Sequence, residues 1–211
     1  MGKCLFMRKG SVHTVPGSRL PSGYTELVYI QNSGTQLIDT GYVPSGETTV
    51  EITFKCEKIA GGDAENYPVY GSANGYNKNA FELWSLAKGF CTYGSQDYKS
   101  NFGLTAGVKY TSIQSKNVLT INGNTFTFTK QTFSTPYNLL LFATHRDNGI
   151  IISADDAKLK IYSCKIYDND TLIRDFVPCI KDDGEVGLYD LVGKQFYGNA
   201  GTGVFTGSEV A

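Results

Sequence analysis

Apolar and polar residues alternate along several short runs of this chain. Val50, Ile52, Phe54 and Cys56 are apolar, and Glu51, Thr53 and Lys55 between them are polar. Successive side chains of a strand point to opposite faces, so this run predicts a half-buried strand. The stretches AFELWS (80–85) and FCTYGS (90–95) are strand-like, with Lys88-Gly89 turning between them. The most specific signal is NVLTINGNTFTFTK (117–130). Asn122 and Gly123 both tolerate positive φ, as a type I′ turn requires. A two-residue loop there pairs Leu119 with Phe126 and Thr120 with Thr125. Leu119, Ile121, Phe126 and Phe128 then share one face, and Thr120, Thr125, Thr127 and Thr129 share the other. NLLLFA (138–143) is a continuous apolar run, expected to be a strand buried on both faces. AKLKIYSCKIYD and TLIRDFVPC add further strands, and ENYPVYGSANGYNKN (65–79) reads as a long Tyr-rich loop. No segment carries a sustained helical period with caps. Many short strands between turn signals predict an all-β fold, a two-sheet antiparallel sandwich or a barrel.

Asp168-Asn169-Asp170 invites comparison with a calcium loop. Such a loop places oxygen ligands at positions 1, 3 and 5, Gly at 6 and Glu at 12. Here position 5 is Leu172, position 6 is Ile173 and position 12 is Cys179, so the pattern fails. Between two strand-like runs the triplet reads as a hairpin turn, because Asn and Asp accept left-handed conformations.

Composition agrees with strands and turns: 24 glycines and 13% aromatic residues in 211. Charged residues are 18% and the net charge is −1, so no basic field exists to attract nucleic acid. No run approaches the roughly 20 apolar residues of a membrane helix. The five cysteines form no CxxC pair, and those inside strand-like runs (Cys56, Cys91, Cys164) read as reduced, buried thiols. Residues 1–20 are basic and irregular and read as an N-terminal arm, with the sandwich domain over 21–211. The apolar stretch of the arm, Leu5–Met7, is too short for a signal peptide. Synthesis and folding in a reducing cytoplasm are therefore expected, whatever the later location.

Catalytic chemistry finds little to work with. His13 lies in the arm, and His145 lies in THRDNG beside Arg146 and Asp147, which reads as a loop. No GxSxG elbow is present. Glycoside hydrolysis needs two carboxyls flanking the sugar bond, and strand alternation would put them at i and i+2. Asp155-Asp156, Asp182-Asp183, Glu185 and Asp190 do not form that pattern. No zinc spacing and no phosphate-cradling loop occur. The expectation is a protein without enzymatic activity, metal or cofactor.

Two long segments carry a family resemblance. LPSGYTELVYIQNSGTQLIDTGYVPSGETTVEITF (20–54) resembles the opening of concanavalin A-like, laminin-G-like jelly-roll modules found in phage and prophage proteins of gut bacteria. KIYSCKIYDNDTLIRDFVPCIKDDGEVGLYDLVGKQFYGNAGTGVF (160–205) resembles their closing segment. The order of the hairpin at 117–130 and the NLLLFA strand fits between them. The resemblance covers residues 20–211 and implies a jelly-roll sandwich in a virion structural or adhesion protein, of the capsid-decoration, head-fibre or tail-fibre type. It would be displayed on the virion surface, attached to other virion proteins through residues 1–20. It further implies glycan binding, homo-oligomer formation and, in some such modules, calcium held by loop acids; no calcium ligand is assigned here. Fold alone does not give function. A bacterial surface lectin and a glycoside hydrolase are the alternatives.

Sugar sites pair a stacking aromatic with amides, acids or bases that bond hydroxyls. Trp84 is the only Trp, and core packing is the first expectation for it. Tyr67, Tyr70, Tyr76 and Asn77 lie in the 65–79 loop, and His145, Arg146 and Asp147 in another. Trp84, Tyr76, Asn77, His145, Arg146 and Asp147 are the candidate ligand-binding residues.

Overall fold

The computed structural model describes residues 19–59, 67–76, 78–154 and 157–209. In chain order the strands are β1 (Tyr24–Gln31), β2 (Ile38–Asp39), β3 (Thr48–Cys56), β4 (Pro68–Ser72), β5 (Ala80–Trp84), β6 (Phe90–Gly94), β7 (Tyr98–Ser100), β8 (Lys109–Ser115) and β9 (Val118–Ile121). They continue as β10 (Asn124–Thr127), β11 (Leu140–Leu141), β12 (Ala143–Arg146), β13 (Ile150–Ser153), β14 (Leu159–Asp168), β15 (Thr171–Lys181), β16 (Val186–Asp190), β17 (Gln195–Tyr197) and β18 (Thr206–Glu209). Among the described residues the one helical turn is the 3₁₀ turn Asp147–Gly149.

The fold is an all-β, antiparallel two-sheet sandwich. One sheet runs β10-β9-β8-β3-β14-β1-β15-β16-β17, with β18 also paired to β1. The other runs β2-β11-β4-β5-β6-β7, and β12 and β13 form a separate hairpin. The core lies between the two sheets. Val50, Ile52, Phe54, Ile161 and Ile166 from the large sheet cluster with Tyr70, Phe81, Leu83 and Tyr93 from the small one. Burying each such side chain contributes about 1.5–3 kcal/mol. A polar bridge crosses the same gap: Tyr70 Oη donates to Gln114 Oε1 at 2.7 Å, and Gln114 Nε2 donates to the Thr92 carbonyl at 3.0 Å.

Where the pattern was strictly local, the elements form as expected. Along β3 every second residue from Thr48 to Cys56 is buried. Asn122 (φ 51°) and Gly123 (φ 72°) turn the hairpin, pairing Phe126 with Leu119 and Thr125 with Thr120. Asn169 (φ 47°) and Asp170 (φ 65°) turn β14 into β15, with Asp168 opposite Thr171. Asp168 accepts from Tyr42 Oη at 3.2 Å, and Asp170 from Lys116 Nζ at 2.8 Å. Cys56, Cys91, Cys164 and Cys179 are free and buried.

Three local readings need correction. Residues 65–79 are not all loop: Pro68–Ser72 form β4, and Tyr67 and Tyr70 are buried. Pro68 and Gly71 masked a five-residue strand that its neighbours β5 and β11 impose. His145 and Arg146 belong to β12 rather than to a loop. NLLLFA is buried throughout its apolar part but is two strands, broken at Phe142 with φ 66°. A bulky residue in this left-handed region costs on the order of 1–2 kcal/mol. Full burial of its ring, 4.9 Å from that of Phe205, and its N–H bond to the Val69 carbonyl at 2.9 Å offset that cost.

The two segments that carry the family resemblance come together. β1 lies between β14 and β15, and β3 lies on the far side of β14. Asn199, in the Gly-rich closing turn, accepts from Leu37 N at 3.1 Å and Gly201 N at 2.9 Å and donates to the Gly203 carbonyl at 2.9 Å. Residues 1–18 lie outside the described residues. Of the expected arm, Arg19 pairs with Glu26, and Leu20 is buried against Val177, Cys179 and Tyr189.

Candidate functional site

Strand alternation sorts β5 into two faces. Phe81 and Leu83 enter the core between the sheets. Ala80, Glu82 and Trp84 face the other way. Over that outer face lies β12, redirected by the break at Phe142. Gly71 stands opposite Glu82 in the β4–β5 ladder, and its missing side chain admits Thr144. A Cβ at Gly71 would lie 2.2 Å from Thr144 Oγ1.

Glu82 is completely buried. Its Oε1 accepts from Thr144 Oγ1 at 2.7 Å, and its Oε2 from Thr92 Oγ1 at 3.2 Å. Arg146 Nε stands 3.8 Å from Oε1, an ion pair without a hydrogen bond. Burial pushes the Glu82 carboxyl pKa up, while the Arg146 charge and the two hydroxyls pull it back in part. The Trp84 indole N–H also favours the carboxylate, from a position short of hydrogen-bond geometry.

Arg146 is the hinge of the site. Its Cζ lies 4.8 Å from the Trp84 ring and 5.1 Å from the Tyr76 ring, both within cation–π range. Trp84 is 2% exposed and Tyr76 67%, so the guanidinium links an interior ring to a surface ring. Arg146 Nε and Trp84 Nε1 are buried without hydrogen-bond partners. Among the described residues no hydrogen bond reaches the Nη nitrogens of Arg146. The β4–β5 loop holds Tyr76 in a tight turn, with Asn74 N bonded to the Lys78 carbonyl at 2.9 Å. Asp147 closes the same corner, its Oδ1 only 2.8 Å from where a Cβ on Gly75 would sit.

The structure thus brings Tyr76, Trp84, Arg146 and Asp147 into one corner of the outer face. His145 is not with them. Alternation along β12 turns it away, onto Tyr137, with ring centroids 4.8 Å apart. Its Nδ1 is buried without a hydrogen-bond partner. Burial lowers its pKa, opposed by the Gly149 backbone and by Asp39. Asn77 lies outside the described residues. Sequence reasoning missed Glu82, Thr92 and Thr144. The available signal was the acid within the apolar run AFELW, since a buried carboxylate demands partners.

The other polar features have internal work. Asp190, also buried, accepts from Asp175 N at 2.9 Å and Val192 N at 3.0 Å and faces Arg174 Nε at 3.6 Å, so it braces turns. Asp183 and Glu185 bind Lys181 at 2.9 and 2.8 Å. Asp155 and Asp156 lie outside the described residues. A groove of about 420 Å³ lies beside the closing turn, but Asn199 on its wall is spent on backbone bonds. Among the described residues no group of three or more His, Cys, Asp or Glu could hold a metal ion. No helix there is long and apolar enough to cross a membrane.

Comparison with family models, with curated proteins and with solved structures finds no match to this chain.

Proposed function

We propose that this chain is a non-enzymatic, lectin-like sandwich module that binds glycan at the Tyr76–Arg146–Trp84 corner and serves as a virion structural or adhesion protein of a phage. The observation that carries the glycan reading is the meeting of two segments distant in sequence, which sets an exposed Tyr ring beside a guanidinium whose buried Nε has no hydrogen-bond partner. An aromatic face stacks on the apolar face of a sugar, and a guanidinium bonds its oxygens. Glu82 is sealed from solvent and capped by two hydroxyls, so it is not placed to protonate a glycosidic oxygen. This weighs against the glycanase alternative.

The virion reading rests on the resemblance of residues 20–54 and 160–205 to phage jelly-roll modules. A bacterial surface lectin would use the same corner, and the genomic neighbourhood separates the two. The test is binding of the purified full chain to intact candidate host cells and a glycan panel, with and without EDTA. Saturable binding that falls at least about tenfold in Tyr76→Ala is expected. Binding unchanged in that variant would move the site elsewhere, and loss with EDTA would bring in a metal. Deleting residues 2–19 should abolish attachment to particles; unchanged attachment would remove the anchoring role of the arm.

A further inference from the structure

We infer that the glycan bound at this corner is acidic, with a sugar carboxylate seated on the terminal nitrogens of Arg146. The inference rests on the glycan reading above and deepens it. Glu82 does not consume the guanidinium. Each carboxylate oxygen of Glu82 accepts one hydroxyl, from Thr144 and Thr92, and its ion pair to Arg146 is at Nε, 3.8 Å away and without a hydrogen bond. The rings of Tyr76 and Trp84 lie 5.1 and 4.8 Å from the guanidinium carbon, in cation–π contacts that occupy none of its N–H groups with a hydrogen bond.

The Arg146 side chain is 16% exposed, so its charge is partly desolvated. A guanidinium in that state, to whose Nη nitrogens no described residue is hydrogen-bonded, matches a carboxylate bidentately and adds a coulombic attraction that a neutral hydroxyl does not supply. Among the neighbouring acids, Glu82 is paired with Arg146 at Nε, without a hydrogen bond. Glu82 lies beneath, with its pKa raised by burial, and Asp147 packs beside Gly75. Asp39, whose charge acts on His145, accepts from Asn138 Nδ2 at 3.0 Å. Tyr76, exposed beside Arg146, supplies the stacking face for the ring that bears the carboxylate.

The experiment compares matched acidic and neutral glycans on the full-length chain. The probes are an oligogalacturonate and its carboxyl-reduced form, and sialyllactose and lactose. Wild type is expected to bind at least one acidic member about tenfold or more tightly than its neutral counterpart, with a preference that shrinks as salt rises. The pair that shows it tells whether the carboxylate comes from a uronic or a sialic acid. Arg146→Gln should weaken the acidic member more than the neutral one and so erase the preference, and Tyr76→Ala should weaken both members alike. Arg146→Lys, which keeps the charge but not the fork, should retain part of the preference, and serves if Arg146→Gln fails to fold. Equal binding of acidic and neutral members by wild type overturns the inference and leaves the glycan reading standing. Absence of binding to any glycan overturns both. A preference that survives Arg146→Gln removes Arg146 as the carboxylate's partner.

Discussion

Glu82 shows how much one residue depends on its company. A carboxylate deprived of water is costly unless hydrogen-bonded or paired; here Thr144 and Thr92 supply the hydrogen bonds and Arg146 an opposite charge at 3.8 Å. Its pKa is raised above the ordinary 4.5. The sign follows from proton binding. Below the unfolded pKa the carboxyl is neutral in both states and carries no penalty. As pH rises, the unfolded chain releases the proton first and the folded chain holds it, so stability declines until the folded pKa is passed. The stability difference between wild type and Glu82→Gln should therefore shift against wild type as pH rises above the ordinary carboxylate pKa of 4.5. Denaturant midpoints of both proteins over that rise check it, and a difference independent of pH would mean that burial does not dominate at this carboxyl.

At the scale of elements, two hairpins contrast. The β9–β10 hairpin is local: its turn residues and its alternation agree, and both were legible in NVLTINGNTFTFTK. The β12–β13 hairpin depends on the break at Phe142, which propensity argues against. Core burial of the Phe142 ring overrides the local preference, and β12 is thereby carried over the outer face of the small sheet. Gly71 makes room for that docking. Gly71→Ala should destabilise the chain by about 1–3 kcal/mol, the usual cost of overpacking. Adding Thr144→Gly, which removes both Thr144 side-chain atoms that the new methyl would meet, should cost less than the sum of the two single changes. Strict additivity in a double-mutant cycle would show that the docking does not depend on this close approach.

For the whole molecule, the core between the sheets shields Cys56, Cys91 and Cys164, and a smaller cluster with Leu20, Val177 and Tyr189 shields Cys179. Burial pushes the Cys56 and Cys179 thiols up to about 12 and raises Cys91 and Cys164 as well. Thiolate is the reactive form, so none should react at neutral pH while the chain is folded. In a Cys4→Ser variant, modification by a disulfide reagent should proceed at the rate of unfolding and release four equivalents in denaturant. Fast native-state labelling of any one would locate a region that opens locally.

The amino-acid sequence by itself determined the fold class, the period-two strand β3, the Asn122-Gly123 hairpin and the reading of Asp168–Asp170 as a turn. These rest on side-chain direction and backbone preference within about a dozen residues, which pattern reveals directly. Tyr76, Trp84, Arg146 and Asp147 could be named as chemistry-bearing residues, because aromatics and charges in turn-rich stretches stand out. Their meeting could not be read. Arg146 lies far along the chain from Tyr76 and Trp84, and only the packing of β12 over β5 joins them. His145, adjacent in sequence, is turned away by the same strand geometry that turns Arg146 inward. Tertiary structure alone decided the company of Glu82, the backbone break at Phe142 and the corner that they shape. Each is set by contacts between distant segments, whose energy is gained only once both sheets have closed on the core.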